Sequence, residues 1–371
     1  MKHFKNFKTC VYCTAQTLAS LDEATLARDY AYLEKYVGID KVYLETYRDG
    51  TWVSIDHMKM IQNFFKKHGV EIAGGITTVT PPLEKDDVKR QRLFQTFCYS
   101  NEAMRTYLKK IVTYTAELFD EIILDDFFFT SCTCDDCLRE RSNLSWAEFR
   151  SKKMIDVAEN LVLKPAKLAN PSVKVTIKYP NWRESYHETG YVPKIQPSMF
   201  DKIYTGTETR NTAHTDQHLP RYLSYSIMRY MEHVAPGRNG GGWFDTYSCW
   251  PIDCYLEQGY LTALSRPQEI TLFQWGDLFE NRLVTPLGMQ LSKLDRILNQ
   301  VGTPCGTPVY LPYASDGENH IEDHLGMHGS RSLIQSHIWL RLKASMESRT
   351  NSSQSEIINV TGMLASFISE M

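Results

Sequence analysis

The sequence predicts an α/β chain that closes into a (β/α)8 TIM barrel with a short C-terminal extension, and three observations carry that prediction. Apolar segments rich in β-branched residues alternate with segments of helical spacing at a period of about 30–40 residues, the rhythm of parallel βα units. Eight such units fit within residues 1–286. Polar residues fall where the predicted strands end: Glu45, Asp125, Asp126, Lys178, Glu208, Arg210, Asp245 and Asp277. Closure would gather those tips around one mouth, the carboxyl rim where such barrels keep their chemistry. An open doubly wound sheet is the alternative for the same units.

Each element follows from local pattern. Lys8 to Thr14, KTCVYCT, reads as a first buried strand, and Asp22 to Val37 carries Ala, Leu and Tyr at helical spacing until Gly38 stops it. KVYLETY from Lys41 is the second strand, Ile55 to His68 an amphipathic helix closed by Gly69, and VEIAGGITT from Val70 the third strand. After the Pro-Pro break at Pro81, Asn101 to Phe119 is a helix that delivers the chain to EIILDDFFF, the fourth strand. Trp146 to Ala169 is a long helix ended by Asn170 and Pro171, and the fifth strand starts at Val173. The sixth starts at Met199, a helix spans His218 to His233, and GGGWFDTYSCW from Gly240 is the seventh. Ile252 to Leu264 is helical, and EITLFQW from Glu269 is the eighth strand. Past residue 286 the pattern changes: a helix from Met289 to Val301 leads into a polar tail, so residues 287–371 read as an extension, partly irregular.

Composition narrows the function. A net charge of −3, with no dense block of Lys or Arg, argues against a nucleic-acid partner. No stretch approaches the ~20 apolar residues of a membrane helix. The N-terminal segment is too short and polar for a signal-peptide core, which predicts a cytoplasmic chain as given, with a secreted or periplasmic location as the alternative for a longer precursor. Nine cysteines, an odd number scattered through a large core, favour reduced thiols. Aromatic content of 12% suits carbohydrate, whose apolar ring faces stack on aromatic rings, and oligo- or polysaccharide or a simpler glycoside is the expected substrate class. Nothing in the sequence speaks to oligomeric state.

The stretch from Glu121 to Phe129 is the centre of the functional reading. Four strand residues run into Asp125 and Asp126, and two adjacent acids at the edge of a core cannot both ionise cheaply, so one has reason to hold its proton. Glycoside hydrolysis needs two carboxyl groups across one bond. The candidates for that pair are Asp125, Asp126, Glu208 and Asp245, each of which alone could equally be a loop cap or half of a salt bridge with Lys178 or Arg210. Around them Glu45, Lys178, Tyr179, Trp182, Arg210, Trp243 and Trp275 are candidate substrate contacts at strand exits, with Trp250 beside them.

Cys132, Cys134 and Cys137 form C-x-C-x-x-C just beyond the acid pair. Three thiolates at that spacing can wrap a tetrahedral zinc if a fourth ligand arrives, with Cys10, Cys13, Cys249 or His214 as sources. Such a zinc would be structural, and catalysis requires no cofactor. His214 and His218, four residues apart, read as solvated or substrate-contacting rather than metal-binding.

With LDDFFF leaving the fourth strand, TETR the sixth and GGGWFD the seventh, the chain resembles the TIM-barrel glycoside hydrolase superfamily, and within it the poorly characterised bacterial glycosidase-like families. The resemblance implies one of three assignments. An acid after the fourth strand with a nucleophile after the seventh maps to Asp125 or Asp126 with Asp245. A nucleophile after the fourth with an acid after the sixth makes Glu208 the donor. In the third, an Asp-Asp pair assists a substrate acetamido group that is itself the nucleophile. The chain departs from the largest clan in lacking its Asn-Glu pair after the fourth strand, and some galactosidase-like barrels carry cysteine-bound zinc near the site. The rival readings are a non-catalytic carbohydrate-binding barrel and a zinc-dependent hydrolase.

Overall fold

A computed structural model describes residues 3–80, 92–214 and 219–304. Eight parallel strands form the barrel: β1 Lys8–Cys13, β2 Lys41–Arg48, β3 Glu71–Ile76, β4 Glu121–Leu124, β5 Lys174–Tyr179, β6 Lys202–Gly206, β7 Asn239–Phe244 and β8 Glu269–Phe273. Each pairs with its sequence neighbour. β1 also pairs with β2 on one side and with β8 on the other, which closes the ring. An antiparallel two-residue strand, Thr51–Trp52, folds back on the end of β2.

The helices start where side chains can satisfy their free N–H groups. Asp22, Ser54, Asn101 and Ser145 each accept a hydrogen bond from a first-turn backbone N–H, and Ser145 with Glu148 completes a capping box. The predicted long helix is continuous from Trp146 to Ala169, with a π-helical stretch at Ala158–Leu163. The helix predicted from His218 instead spans Leu223–Val234, after Pro220. A short helix, Ala15–Ser20, follows β1 without having been expected.

The final described helix, Val284–Leu298, buries Leu287, Leu291, Leu294 and Leu298 and packs on Ile252–Leu264 and Glu23–Tyr36. A Cβ on Gly288 would lie 2.0 Å from the Tyr36 carbonyl oxygen, so only glycine permits that approach. This helix therefore belongs to the outer ring of the barrel and runs past residue 286. The polar tail past residue 304, and His218, lie outside the described residues.

Two cores result. The larger lies between strands and helices; the smaller fills the barrel with Cys10, Tyr12, Tyr43, Ala73, Ile123, Tyr204 and Trp243. Below it, at the amino end of the barrel, Lys41 donates to Glu121 at 2.6 Å and lies 3.4 Å from Glu269, whose other oxygen accepts from Tyr43 at 2.8 Å. The interior is thus sealed beneath by a paired charge cluster and aromatic rings. The carboxyl ends of the strands form the opposite rim.

Candidate active site

Strand parity decides which side chains face the barrel interior at that rim, because alternate residues face opposite sides of a strand. On β4, Ile123 lies in the barrel core while Ile122 and Leu124 pack outside it. Asp125, two residues past Ile123, therefore turns inward, and its N–H extends the ladder to the Ile76 carbonyl at 3.0 Å. By the same count Tyr43 sets Glu45 inward, Tyr204 sets Glu208 and Trp243 sets Asp245. On β5, Val175 and Ile177 are outside, which leaves Lys178 inside.

Lys178 joins the acids. Its ammonium donates to Asp126 Oδ2 at 2.8 Å and to Glu208 Oε1 at 2.9 Å, stands 3.5 Å from Asp125 Oδ1, and lies 4.1 Å from the Trp243 ring centroid. The side chain is 2% exposed. Burial alone would push its pKa down, but Asp126, Glu208 and Asp125 together outweigh burial and raise it, so it stays charged. The indole face of Trp243 adds a cation–π contact where water is scarce.

The three acids around this lysine are not equivalent. Asp125 is 3% exposed and fully engaged: Arg48 donates to it at 2.6 Å, Thr77 at 3.2 Å and the Asp126 N–H at 2.7 Å. Burial opposes its ionisation, yet Lys178, Arg48 and the bonds from Asp126 more than offset that and hold its pKa down at about 2. Asp126 has the reverse balance. Burial, with Asp125 and Glu208 as like charges nearby, raises its pKa well above the carboxylate range despite Lys178. Glu208 is raised as well, by burial and then by Asp245, against Lys178 and Arg210.

Glu208 Oε2 is buried and has no hydrogen-bond partner among the described residues. A Cβ at position 206 would sit 2.6 Å from that oxygen, so Gly206 leaves it room.

A second layer holds the first. Arg48 donates through Nε to both oxygens of Glu45, at 3.1 and 2.9 Å. Glu45 also accepts from Tyr12 at 2.6 Å, from the Ala15 N–H at 2.8 Å and from Thr77. Asp245 is taken by Arg210, Nε to Oδ1 at 3.1 Å and Nη2 to Oδ2 at 2.7 Å, and it also accepts the Tyr247 N–H. That paired geometry commits both oxygens of Asp245 to a guanidinium.

The structure therefore brings together Glu45, Asp125, Asp126, Lys178, Glu208 and Trp243, with Arg210 and Asp245 beside them. It separates two residues expected at the rim, Tyr179 and Trp275. Tyr179 has the outward parity of Ile177 and is fully buried against Tyr186 and Tyr191. Trp182 packs edge-on to Phe129 and beside Tyr186. Trp275 starts a short helix behind β8 and is 1% exposed, packed on Phe65 and Phe279. Neither Tyr179 nor Trp275 offers an open face to the mouth, while Trp182 is half-buried among Phe129, Tyr186 and Tyr191.

The same structure adds Tyr12, Arg48 and Thr77, which the sequence reading passed over. Arg48, three residues past Glu45 on the same strand exit, was within reach of a charge-pairing argument. Thr77 carried no chemical signal.

The cysteine cluster is completed by Cys98, not by any of the four sources expected. The sulfurs of Cys98, Cys132, Cys134 and Cys137 all lie within 4.8 Å of one another, with Cys98 3.7 Å from both Cys134 and Cys137. Four thiolates at ~2.3 Å from a tetrahedral zinc would stand about 3.8 Å apart, so the residues fit that ion. Cys10 and Cys13 are buried in β1, while Cys249 hydrogen-bonds Asp245 and Tyr247 carbonyls. All eight described cysteines are free thiols. No helix among the described residues is long and apolar enough to cross a membrane.

A closed (β/α)8 barrel with charged side chains gathered at the carboxyl ends of its strands defines the class as that of the TIM-barrel proteins. Within that class, the chain belongs to the family described as probable glycosyl hydrolase, catalytic domain, whose model matches residues 1–289. An uncharacterized protein of Saccharolobus solfataricus is 31% identical over 364 residues, covering 88% of this chain and 59% of that relative. The chain thus spans well under two thirds of that relative's length. Among solved structures, the β-galactosidase of Rahnella sp. R3 superposes at TM-score 0.54 with 14% identity, over 80% of this chain and 58% of that one. The β-amylase catalytic domain of Paenibacillus polymyxa superposes at 0.54 with 10% identity, over 81% and 99%. At such identities the likeness is one of fold.

Proposed function

We propose that this barrel hydrolyses a glycosidic bond with Asp126 as acid/base and Glu208 as nucleophile, the two held across Lys178. The observation that carries the assignment is the shared ammonium. Oxygens at 2.8 and 2.9 Å from one nitrogen stand no more than about 6 Å apart, which supports the closer spacing of retaining enzymes over the wider inverting one.

Asp126 is the donor because ionised Asp125 beside it favours its protonated form. It is also the more open of the two, 18% exposed against 4% for Glu208. Glu208 attacks because one oxygen is held by Lys178 while Oε2 is left with its lone pairs unengaged. In the first step Glu208 Oε2 bonds to the anomeric carbon as the glycosidic C–O bond breaks and Asp126 protonates the departing oxygen. In the second, Asp126 takes a proton from water, which attacks the same carbon and releases Glu208. Lys178 and Arg48 keep Asp125 ionised throughout. Asp245, bound by Arg210, is read as a substrate-orienting group rather than the nucleophile.

The thiol cluster is proposed to hold a structural zinc tying the loop after β3, which carries Cys98, to the loop after β4, which carries the acid pair. Four protein ligands leave no open coordination position, and this speaks against the zinc-dependent hydrolase reading.

A panel of aryl glycosides tests the proposal. The wild-type protein is expected to turn over at least one sugar. Asp126→Asn should lose about 10²–10⁴-fold on poor leaving groups and far less on activated ones. Silence across a broad panel would move the reading to a carbohydrate-binding barrel.

A further inference from the structure

The loop that follows β7 carries rings the catalytic cluster does not use. Trp250 is 84% exposed and Tyr247 64% exposed, the two most exposed aromatic side chains among the described residues. Exposed indoles on mobile tips are unremarkable, but this loop is fastened to the site. The Asn211 N–H donates to Ser248 O at 3.0 Å and Asn211 Nδ2 to Trp250 O at 2.5 Å. Gln258 Nε2 donates to Asp245 O at 3.0 Å, while Gln258 Oε1 accepts the Arg210 N–H at 3.1 Å. The Arg210 guanidinium, engaged with Asp245, also lies 5.2 Å from the Tyr247 ring centroid. The backbone that carries the two rings is therefore anchored on the rim, continuous with the Arg210–Asp245 pair.

Across the barrel is a counterpart. β3 and β7 stand four places apart in the ring of eight, and the loop after β3 exposes Phe94, 51% accessible, whose ring meets Phe127 from the loop after β4 at 5.3 Å. The mouth thus has aromatic surface on two opposite sides, with the acids between them.

We infer that Trp250, supported by Tyr247, is an outer stacking platform for a sugar ring beyond the bond that is cleaved, so that the substrate is an oligosaccharide chain rather than a small glycoside. This rests on the proposed glycosidase reading and specifies its substrate. An exposed indole on an anchored loop gives a hexose an apolar face without the cost of ordering the loop backbone. Selectivity for chain length follows, because only a ligand long enough to span from the acids to the loop gains the contact.

The test is binding, so that it does not depend on turnover. Cello-, manno-, chito- and galacto-oligosaccharides of one to five rings are titrated calorimetrically into wild type, Trp250→Ala and Trp250→Phe. In at least one series, wild type should bind the longest member about tenfold or more tighter than the single ring. Trp250→Ala should erase that gain while leaving single-ring affinity and Tm unchanged, and Trp250→Phe should keep most of it. Equal affinities for wild type and Trp250→Ala, or no chain-length dependence in any series, would overturn the platform. Aryl glycoside turnover persisting in that case would leave the hydrolase reading intact, whereas oligosaccharide binding without turnover would fail that reading and keep the platform.

Discussion

Asp125 and Asp126 are adjacent in the chain and opposite in electrostatic character, and the difference lies in what each can reach. Parity turns Asp125 into the barrel, where Arg48, Thr77 and Lys178 meet it; Asp126, just past the strand, reaches only Lys178 among charged donors. Asp125, whose pKa is held down at about 2, contributes stability that is present above the unfolded value of ~3.9 and is lost as pH falls towards 2. Asp126, raised, contributes the opposite way: its ionisation is harder in the folded chain, so stability falls as pH rises through its folded pKa. At neutral pH, Asp125→Asn should therefore destabilise the fold by about 3 kcal/mol, because two buried cations lose a shared partner. Asp126→Asn, which loses turnover chiefly on poor leaving groups, should cost the fold much less, because Lys178 keeps Asp125 and Glu208 as partners. Thermal denaturation of both variants checks this, and equal effects of the two would contradict the division of roles.

At the scale of elements, β4 and the two loops beside it do most of the positioning. The strand, its acid pair and the neighbouring cysteines were all legible in EIILDDFFF and C-x-C-x-x-C. Cys98 was not, since it lies 34 residues before Cys132 on a different loop and only closure of the barrel brings the two together. The same limit applies to Tyr179 and Trp275. Their chemistry suited a sugar cleft, and counting parity from Ile177 would have put Tyr179 outside, but the short helix that carries Trp275 away from the rim has no signal in EITLFQW. If zinc ties these loops, the purified protein should contain one zinc per chain by elemental analysis, and Cys98→Ser should lose it with a lowered Tm. A metal-free wild type with unaltered stability would remove zinc from the account.

For the whole molecule, the eight strands and their order were readable because each unit repeats one local pattern and the ring adds only neighbour pairing. What no local pattern encodes is which rim residues share a partner, and here that partner is Lys178, 30 residues before Glu208 and 52 after Asp126. The shared cluster sets the pH response. Glu208 must be ionised to attack, so activity should be lost as pH falls through its pKa; Asp126 must be protonated to donate, so activity should be lost as pH rises through its own. Since burial raises both, the bell in kcat/KM should be displaced above the pH range set by ordinary carboxylates near 4. A profile centred at that lower range would count against the pairing.

The most direct measurement is the site of covalent trapping. After incubation with an activated 2-deoxy-2-fluoro glycoside of a sugar that the enzyme turns over, peptide mapping by mass spectrometry should locate one glycosyl group on Glu208. A label on Asp245 or Asp126, or turnover that yields the inverted anomer with no adduct at all, would contradict the account.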